Sequence, residues 1–166
     1  MSVTRTQLFT FFANHGIVTT THDHEPVFTV EQAKFAHVDI LGGHCKNLFC
    51  KDEKGTLWLI VALEDARIDL KLAKDKIGSK RLTFGKLELL LEILGVEPGS
   101  VTPFGLINDT DIKTNVILDE AMMKLPQLNF HPLKNDATTT ISAEDLLKFI
   151  RATGHNPRIV SVSDPS

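Results

Sequence analysis

Residues 46–63 read KNLFCKDEKGTLWLIVAL. Two runs with high β-propensity, 46–51 and 57–63, flank the segment DEKGT, whose charged residues and glycine are typical of a turn. The pattern therefore predicts a β-hairpin, and with it a fold that is organised around a sheet.

Helical and extended patterns alternate along the rest of the chain. Helices are predicted where apolar residues recur at helical spacing between capping signals, at 4–14, 69–77, 87–94 and 142–154. A capping box at 29–32 predicts one more short helix. Short extended runs are predicted at 18–24, 80–84, 115–118, 128–130, 138–141 and 158–162. Because a hairpin occurs among interleaved strands and helices, we expect an α/β (mixed α+β) fold: a mixed, largely antiparallel sheet with packed helices.

Length and composition suit a small protein of the cytoplasm. The 166 residues favour a single domain spanning 1–166, and 42% hydrophobic with 23% charged residues is ordinary for a soluble protein. No apolar run approaches the roughly 20 residues that cross a membrane, and the N-terminus lacks the pattern of a secretory signal. Cys45 and Cys50 fall on opposite faces of the predicted strand, so we expect two free thiols.

Charge is distributed unevenly along the sequence. Residues 67–86 hold seven basic and two acidic side chains, a charge of +5; since the whole chain carries −3, the remainder carries −8. This segment is either a solvated helix face or a surface that binds phosphates. The acidic total argues against a general DNA-binding protein.

Familiar catalytic and metal-binding motifs are absent. The sequence contains no GxSxG, P-loop, GxGxxG or HExxH pattern. His22 and His24, with His44 and Cys45, are the only residues that suggest a metal, and paired histidines on a strand are more often structural. We therefore expect no metal and no cofactor.

Three features remain as candidates for a site. Lys46 shares a strand face with Leu48 and Cys50, so its ammonium either enters a semi-enclosed space or extends to water. His131 stands before a proline in NFHPLKND, in an extended or turn context, and a lone histidine is commonly structural. The segment 97–106, EPGSVTPFGL, has two prolines and two glycines, which predict a stiff loop with an exposed, nearly uncharged backbone.

Taken together, these segments resemble a known family. CKNLFCKD, the lysine-rich middle, GVEPGSVTPFGL and NFHPLKNDATTTIS occur in the order and spacing of the YbaK-like, prolyl-tRNA synthetase-associated editing domains, of the freestanding ProX (PrdX) type. The resemblance spans roughly residues 15–160 and includes VFTVEQA at 27–33.

The resemblance implies that the protein hydrolyses mischarged alanyl-tRNA for proline as a trans-editing deacylase. Lys46 matches the family's functional lysine, and the substrate-binding residues implied are Asn47, Gly99, Ser100, Val101, Thr102, Pro103, Phe104, Gly105 and His131. A stiff loop suits a pocket that accepts alanine and rejects proline by shape, because binding alone discriminates poorly against a smaller side chain.

The same resemblance favours a tRNA-binding role for Lys71, Lys74, Lys76, Lys80 and Arg81. The expected partners are the acceptor end of tRNA for proline and prolyl-tRNA synthetase, and we expect a monomer. Cysteinyl-tRNA for proline is the alternative substrate. Two other classes of function stay open: a nucleic-acid-binding module without catalysis, and a metal-dependent hydrolase.

Overall fold

The computed structural model describes residues 2–26 and 40–163. Within these ranges eight strands form one sheet in the order β1-β7-β6-β2-β3-β5-β8, and β4 pairs with β2 outside this path. The strands are β1 Thr19–Asp23, β2 Gly43–Asp52, β3 Leu57–Leu63, β4 Leu82–Phe84, β5 Thr114–Asp119, β6 Gln127–Phe130, β7 Ala137–Ser142 and β8 Arg158–Val160.

The predicted hairpin is confirmed as the antiparallel pair of β2 and β3, with Lys46 opposite Ala62 and Cys50 opposite Trp58. The carboxylate of Asp52 accepts hydrogen bonds from the backbone N–H groups of Lys54 and Thr56, which fixes the turn. β2 begins three residues before the predicted run because Gly43 and His44 pair in parallel with β6. That long-range partner is invisible in the local pattern.

In the described residues four α-helices pack on the sheet: α1 Arg5–Asn14, α2 Leu70–Ile77, α3 Leu87–Ile93 and α4 Ala143–Ala152. Side chains at Thr4, Asp69 and Ser142 cap α1, α2 and α4 by accepting from backbone N–H groups in the first turn. These helices confirm the four predicted ones, whereas the helix predicted to start at 29–32 lies outside the described residues. No helix in the described ranges has the length and apolarity to cross a membrane.

The sheet separates two apolar clusters. The larger contains Phe12, Phe104 and Phe149, whose rings meet edge to face with centroids 5.1 to 5.6 Å apart. The smaller contains Cys50, Trp58 and Ile60 on the other side of the hairpin. Among the strand pairs of the described residues, antiparallel pairs outnumber parallel ones. The expected mixed α/β fold is therefore confirmed.

The segment 97–106 differs from expectation. It forms two short 3-10 helices, Pro98–Ser100 and Pro103–Asn108, in place of an open loop. From Ser100 onward the segment is covered too, because Thr102, Phe104 and Leu106 are fully buried, whereas residues 97–99, Gly99 among them, are exposed as expected. The apolar side chains draw the segment into the core, and the prolines begin each 3-10 turn, where a missing N–H costs nothing.

Candidate functional site

Lys46 lies near the start of β2, half-buried, on the sheet face opposite the larger cluster. Its ammonium donates a hydrogen bond to the backbone carbonyl of Ala66, just beyond β3. Within residues 2–26 and 40–163 the ion pairs include no carboxylate partner for this ammonium. A neutral carbonyl leaves the positive charge of Lys46 available to an anion or to a developing oxyanion.

The same face continues with polar side chains onto β6 and β7. His44 pairs with Asn129, and Asn129 pairs with Thr140, so the three positions share one side of the sheet. Lys46 stands two residues further along β2, roughly 7 Å from the position of His44. Lys46 and Asn129 thus belong to one polar face of the sheet, called the polar surface below, in which Asn129 itself is buried.

Asn129 fixes the chain that leads into β2. Its amide nitrogen donates to the backbone carbonyls of Leu41 and Gly43 at 2.9 and 3.3 Å, and its oxygen accepts from the Thr140 hydroxyl at 2.5 Å. A Cβ on Gly43 would lie 2.6 Å from Leu125 Cδ1. A side chain at position 43 would push the leucine side chains of Leu125 and Leu63 aside, so Gly43 suits this close packing, and Asn129 positions the strand that carries Lys46.

Two histidines, His131 and His24, lie on this surface beside the N-terminal end of β7. His131 donates its Nδ1 hydrogen to the carbonyl of Ala137 at 2.9 Å, and His24 Nε2 lies 2.8 Å from the hydroxyl of Thr138. The two rings meet edge to face with centroids 6.3 Å apart. Burial lowers the pKa of His131, an effect that the carbonyl of Ala137 and the charge of Asp136 only partly offset. His131 is therefore a neutral imidazole at pH 7 with Nε2 as its acceptor.

Asn47, by contrast, points to the other face of β2, opposite Val61. Its Oδ1 is buried and accepts no hydrogen bond within the described residues. The larger apolar cluster, which contains Val61, also contains Phe104 and has Val101 packed against it. Asn47 and the segment 99–105 therefore share one side of the sheet, whereas Lys46 and Asn129 lie on the other.

The residues predicted in the segment 99–105 differ in exposure. Ser100, Thr102, Pro103, Phe104 and Gly105 are buried, and Val101 is half-buried. The ring of Phe104 packs on Phe12 and Phe130, so its contribution is to hold the segment in the core.

Most of the predicted RNA-binding residues meet at one groove, which is lined by Lys71, Lys74, Lys80 and Arg81 among others. Lys76 is exposed on α2 away from this groove. An adjoining groove shares Arg81 and adds Lys51 and Lys86. The sequence did not suggest Lys51, because it joins this surface only through the pairing of β2 with β4.

Sequence reasoning also missed Asn129, Thr138, Thr140 and His24 as members of the polar surface. Alternating polar residues in THDH and TTT were the available signal, but the sheet order was needed to place them together. Burial raises the pKa of the Cys45 and Cys50 thiols to about 12, which disfavours the thiolate form that a nucleophile needs. Both are free, as predicted.

Comparisons with known proteins agree with this architecture. Over 141 residues the chain is 36% identical to the prolyl-tRNA editing protein ProX of Acetoanaerobium sticklandii, covering 84% of this chain and 86% of that protein. It is 40% identical over 146 residues to the prolyl-tRNA synthetase associated domain-containing protein 1 of Mus musculus, covering 84% and 85% of the two chains.

A solved structure of a candidate trans-editing enzyme for prolyl tRNA synthetase shares the fold, with a TM-score of 0.74, 21% identity and 99% of each chain covered. The family model of the aminoacyl-tRNA editing domain matches residues 24–149, which include Lys46, the segment 97–106 and His131. The chain belongs to the aminoacyl-tRNA editing domain family.

Proposed function

We propose that this protein is a trans-editing deacylase that hydrolyses the ester of alanine mischarged on tRNA for proline. The observation that carries the proposal is the half-buried ammonium of Lys46, bonded to a neutral carbonyl on a polar surface, within the matched editing domain. The names of the ProX relative and of the vertebrate relatives support tRNA for proline as the substrate class.

The reaction needs little more than a positioned ester and a water molecule. Water attacks the carbonyl carbon, the carbon–oxygen bond to the ribose breaks, and the proton released by the water passes to the departing ribose oxygen. Lys46 stabilises the negative charge on the carbonyl oxygen or holds the terminal phosphate. An aminoacyl ester is already activated, so the neighbouring ribose hydroxyl relays the proton and no nucleophilic side chain is required.

His131 is proposed to line the aminoacyl site as a neutral group. Its Nδ1 hydrogen is committed to Ala137, so Nε2 remains to accept a hydrogen bond from a substrate hydroxyl or amino group. Asn47 and residues 99–105 lie across the sheet from Lys46 and His131, so we propose that they support the pocket from behind the sheet and do not contact the substrate. Their packing in the larger apolar cluster holds the strand that carries Lys46 in place, which suits a pocket that rejects proline by shape.

The tRNA is proposed to lie along the grooves lined by Lys71, Lys74, Lys80 and Arg81, with a smaller contribution from Lys76. Ion pairing with the described part of the chain leaves most of this charge free, because there only Lys74 of these five residues is paired, with Asp75 at 3.0 Å. Free cations on one surface gain affinity for phosphates by releasing counterions. Prolyl-tRNA synthetase is the second proposed partner, and the protein is proposed to act as a monomer in the cytoplasm.

The deciding experiment measures deacylation of alanyl-, cysteinyl- and prolyl-tRNA for proline by the wild type, Lys46→Ala and Lys54→Ala. Alanyl-tRNA is expected to be hydrolysed and prolyl-tRNA spared, and Lys46→Ala is expected to lower kcat/KM by about 100-fold or more. Lys54, exposed in the β2–β3 turn, is the matched control for loss of one lysine charge.

Each alternative has its own result. Faster loss of cysteine than alanine would keep the chemistry and change the assigned substrate. Binding of tRNA without hydrolysis of any ester would leave a binding module. Activity lost on treatment with a chelator would require a metal-dependent hydrolase.

A further inference from the structure

Phe84 is an aromatic residue at the end of an edge strand with 64% of its surface exposed. Two residues earlier in β4, Leu82 is 7% exposed and packs in the smaller apolar cluster. An exposed phenylalanine on a strand that buries its other apolar side chain is available to pack against a ligand.

The backbone holds Phe84 rigidly in place. Phe84 pairs with Cys50 of β2, and the next residue, Gly85, donates its N–H to the carbonyl of Phe49 at 2.8 Å. A Cβ on Gly85 would lie 2.6 Å from the ring of Phe49, so a larger residue would require the buried Phe49 ring to shift. A ring on a fixed backbone loses little freedom when it binds a flat partner.

The groove beside Phe84 is basic. Phe84 lines it together with Lys51, Arg81 and Lys86. Two acidic residues, Asp52 and Glu53, also line this groove. Asp52 is buried and accepts hydrogen bonds from Trp58 and from neighbouring backbone N–H groups, so Glu53 is the exposed carboxylate of the two. An apolar protein partner would have to desolvate these cations, whereas a nucleic acid supplies phosphates for them and a base for the ring.

We propose that Phe84 is a stacking platform for an unpaired nucleobase of an RNA whose phosphates lie on Lys51, Arg81 and Lys86. The inference rests on the proposed function in taking tRNA as the RNA, and it adds a non-electrostatic contact to the basic surface. Exposed aromatic rings among cations are the elements with which proteins bind single-stranded nucleic acid. The single-stranded 3′ end of tRNA is the part that offers unpaired bases beside a duplex.

The test measures binding of deacylated tRNA for proline by fluorescence anisotropy at several salt concentrations, so it does not depend on catalysis. Phe84→Ala is expected to weaken affinity by about tenfold, and Phe84→Trp to retain it. Neither substitution changes the slope of log affinity against log salt, since no phosphate contact is lost. Ile159→Ala, which removes another exposed apolar side chain on the distant edge strand β8, is the control with unchanged affinity.

A direct readout of stacking comes from 2-aminopurine placed in turn at each unpaired position of the 3′ end. Wild type and Phe84→Trp are expected to quench one of these positions, and Phe84→Ala is expected to lose that quenching. Affinity of folded Phe84→Ala within about twofold of wild type, with quenching retained, overturns the proposal. Failure of the proposed deacylation would instead appear as an inactive wild type that still shows the Phe84 effect.

Discussion

Asp109 illustrates at the residue scale how a buried carboxylate holds two distant segments together. It is 3% exposed and accepts hydrogen bonds from the backbone N–H groups of Lys113 and Thr114 and from His155 Nε2 at 2.9 Å. Burial raises the pKa of Asp109, but these donors outweigh it and bring the pKa down from 3.8 to about 2. The loop before β5 and the segment after α4 are thereby joined.

This carboxylate predicts an acid-dependent loss of stability. Because the folded pKa lies below the unfolded one, the contribution is complete above about pH 4 and is lost as pH falls through 3.8 toward 2. The shift corresponds to about 2 kcal/mol. Asp109→Asn is expected to lower the free energy of urea unfolding by about that amount at pH 7 and to flatten its dependence between pH 4 and 2. Asp111→Asn, exposed nearby, is the control; equal effects in both variants would contradict the assignment.

At the element scale, the segment after α3 shows how tight packing fixes a turn. The 3-10 helix Pro103–Asn108 lies against the end of α3, where the Asn108 amide donates to the Leu94 carbonyl at 2.8 Å. A Cβ on Gly105 would lie 2.9 Å from the same carbonyl oxygen and 3.0 Å from Leu94 Cβ. This contact with backbone cannot be relieved by rotating a side chain.

Gly105→Ala is therefore expected to destabilise the fold by about 1–3 kcal/mol through overpacking, measured as a lower midpoint of urea unfolding. Gly16→Ala is the comparison, since Gly16 has open space around it and a φ of +67°. Its cost of roughly 1 kcal/mol comes from backbone conformation alone. A Gly105→Ala protein as stable as wild type would mean that the turn can shift away from α3.

Elements were predictable from sequence where their signals are local. The hairpin follows from two β-prone runs around DEKGT, and α1 follows from apolar residues at helical spacing with Gly16 after the last turn. The prediction of an exposed loop at 97–106 was wrong for most of the segment, because glycine and proline indicate only where the backbone turns. Burial of Phe104 depends on contacts with aromatic rings of α1 and α4, which are distant in sequence. The polar surface was also hidden, since it requires β6 beside β2 and β7 beside β1.

At the scale of the whole molecule, charge separates into a basic surface and an acidic remainder. The +5 of residues 67–86 was readable from sequence because most of it lies on α2, β4 and their connection. Lys51 joins it through strand pairing. A basic surface on an acidic protein concentrates affinity for phosphates on one side and limits binding elsewhere.

This separation makes a prediction about salt that belongs to the surface as a whole. Replacing Lys71, Lys74 and Arg81 by alanine is expected to reduce the slope of log affinity for tRNA against log salt by about 2 to 3, since each phosphate contact contributes roughly 0.7 to 0.9. The matched control replaces Lys113, Lys124 and Lys148, which carry the same charge but line neither basic groove. If net charge alone governed binding, both triple variants would lower the slope equally. If the basic grooves bind the RNA, the control keeps the wild-type slope and the groove variant loses affinity most at low salt, where counterion release is worth most.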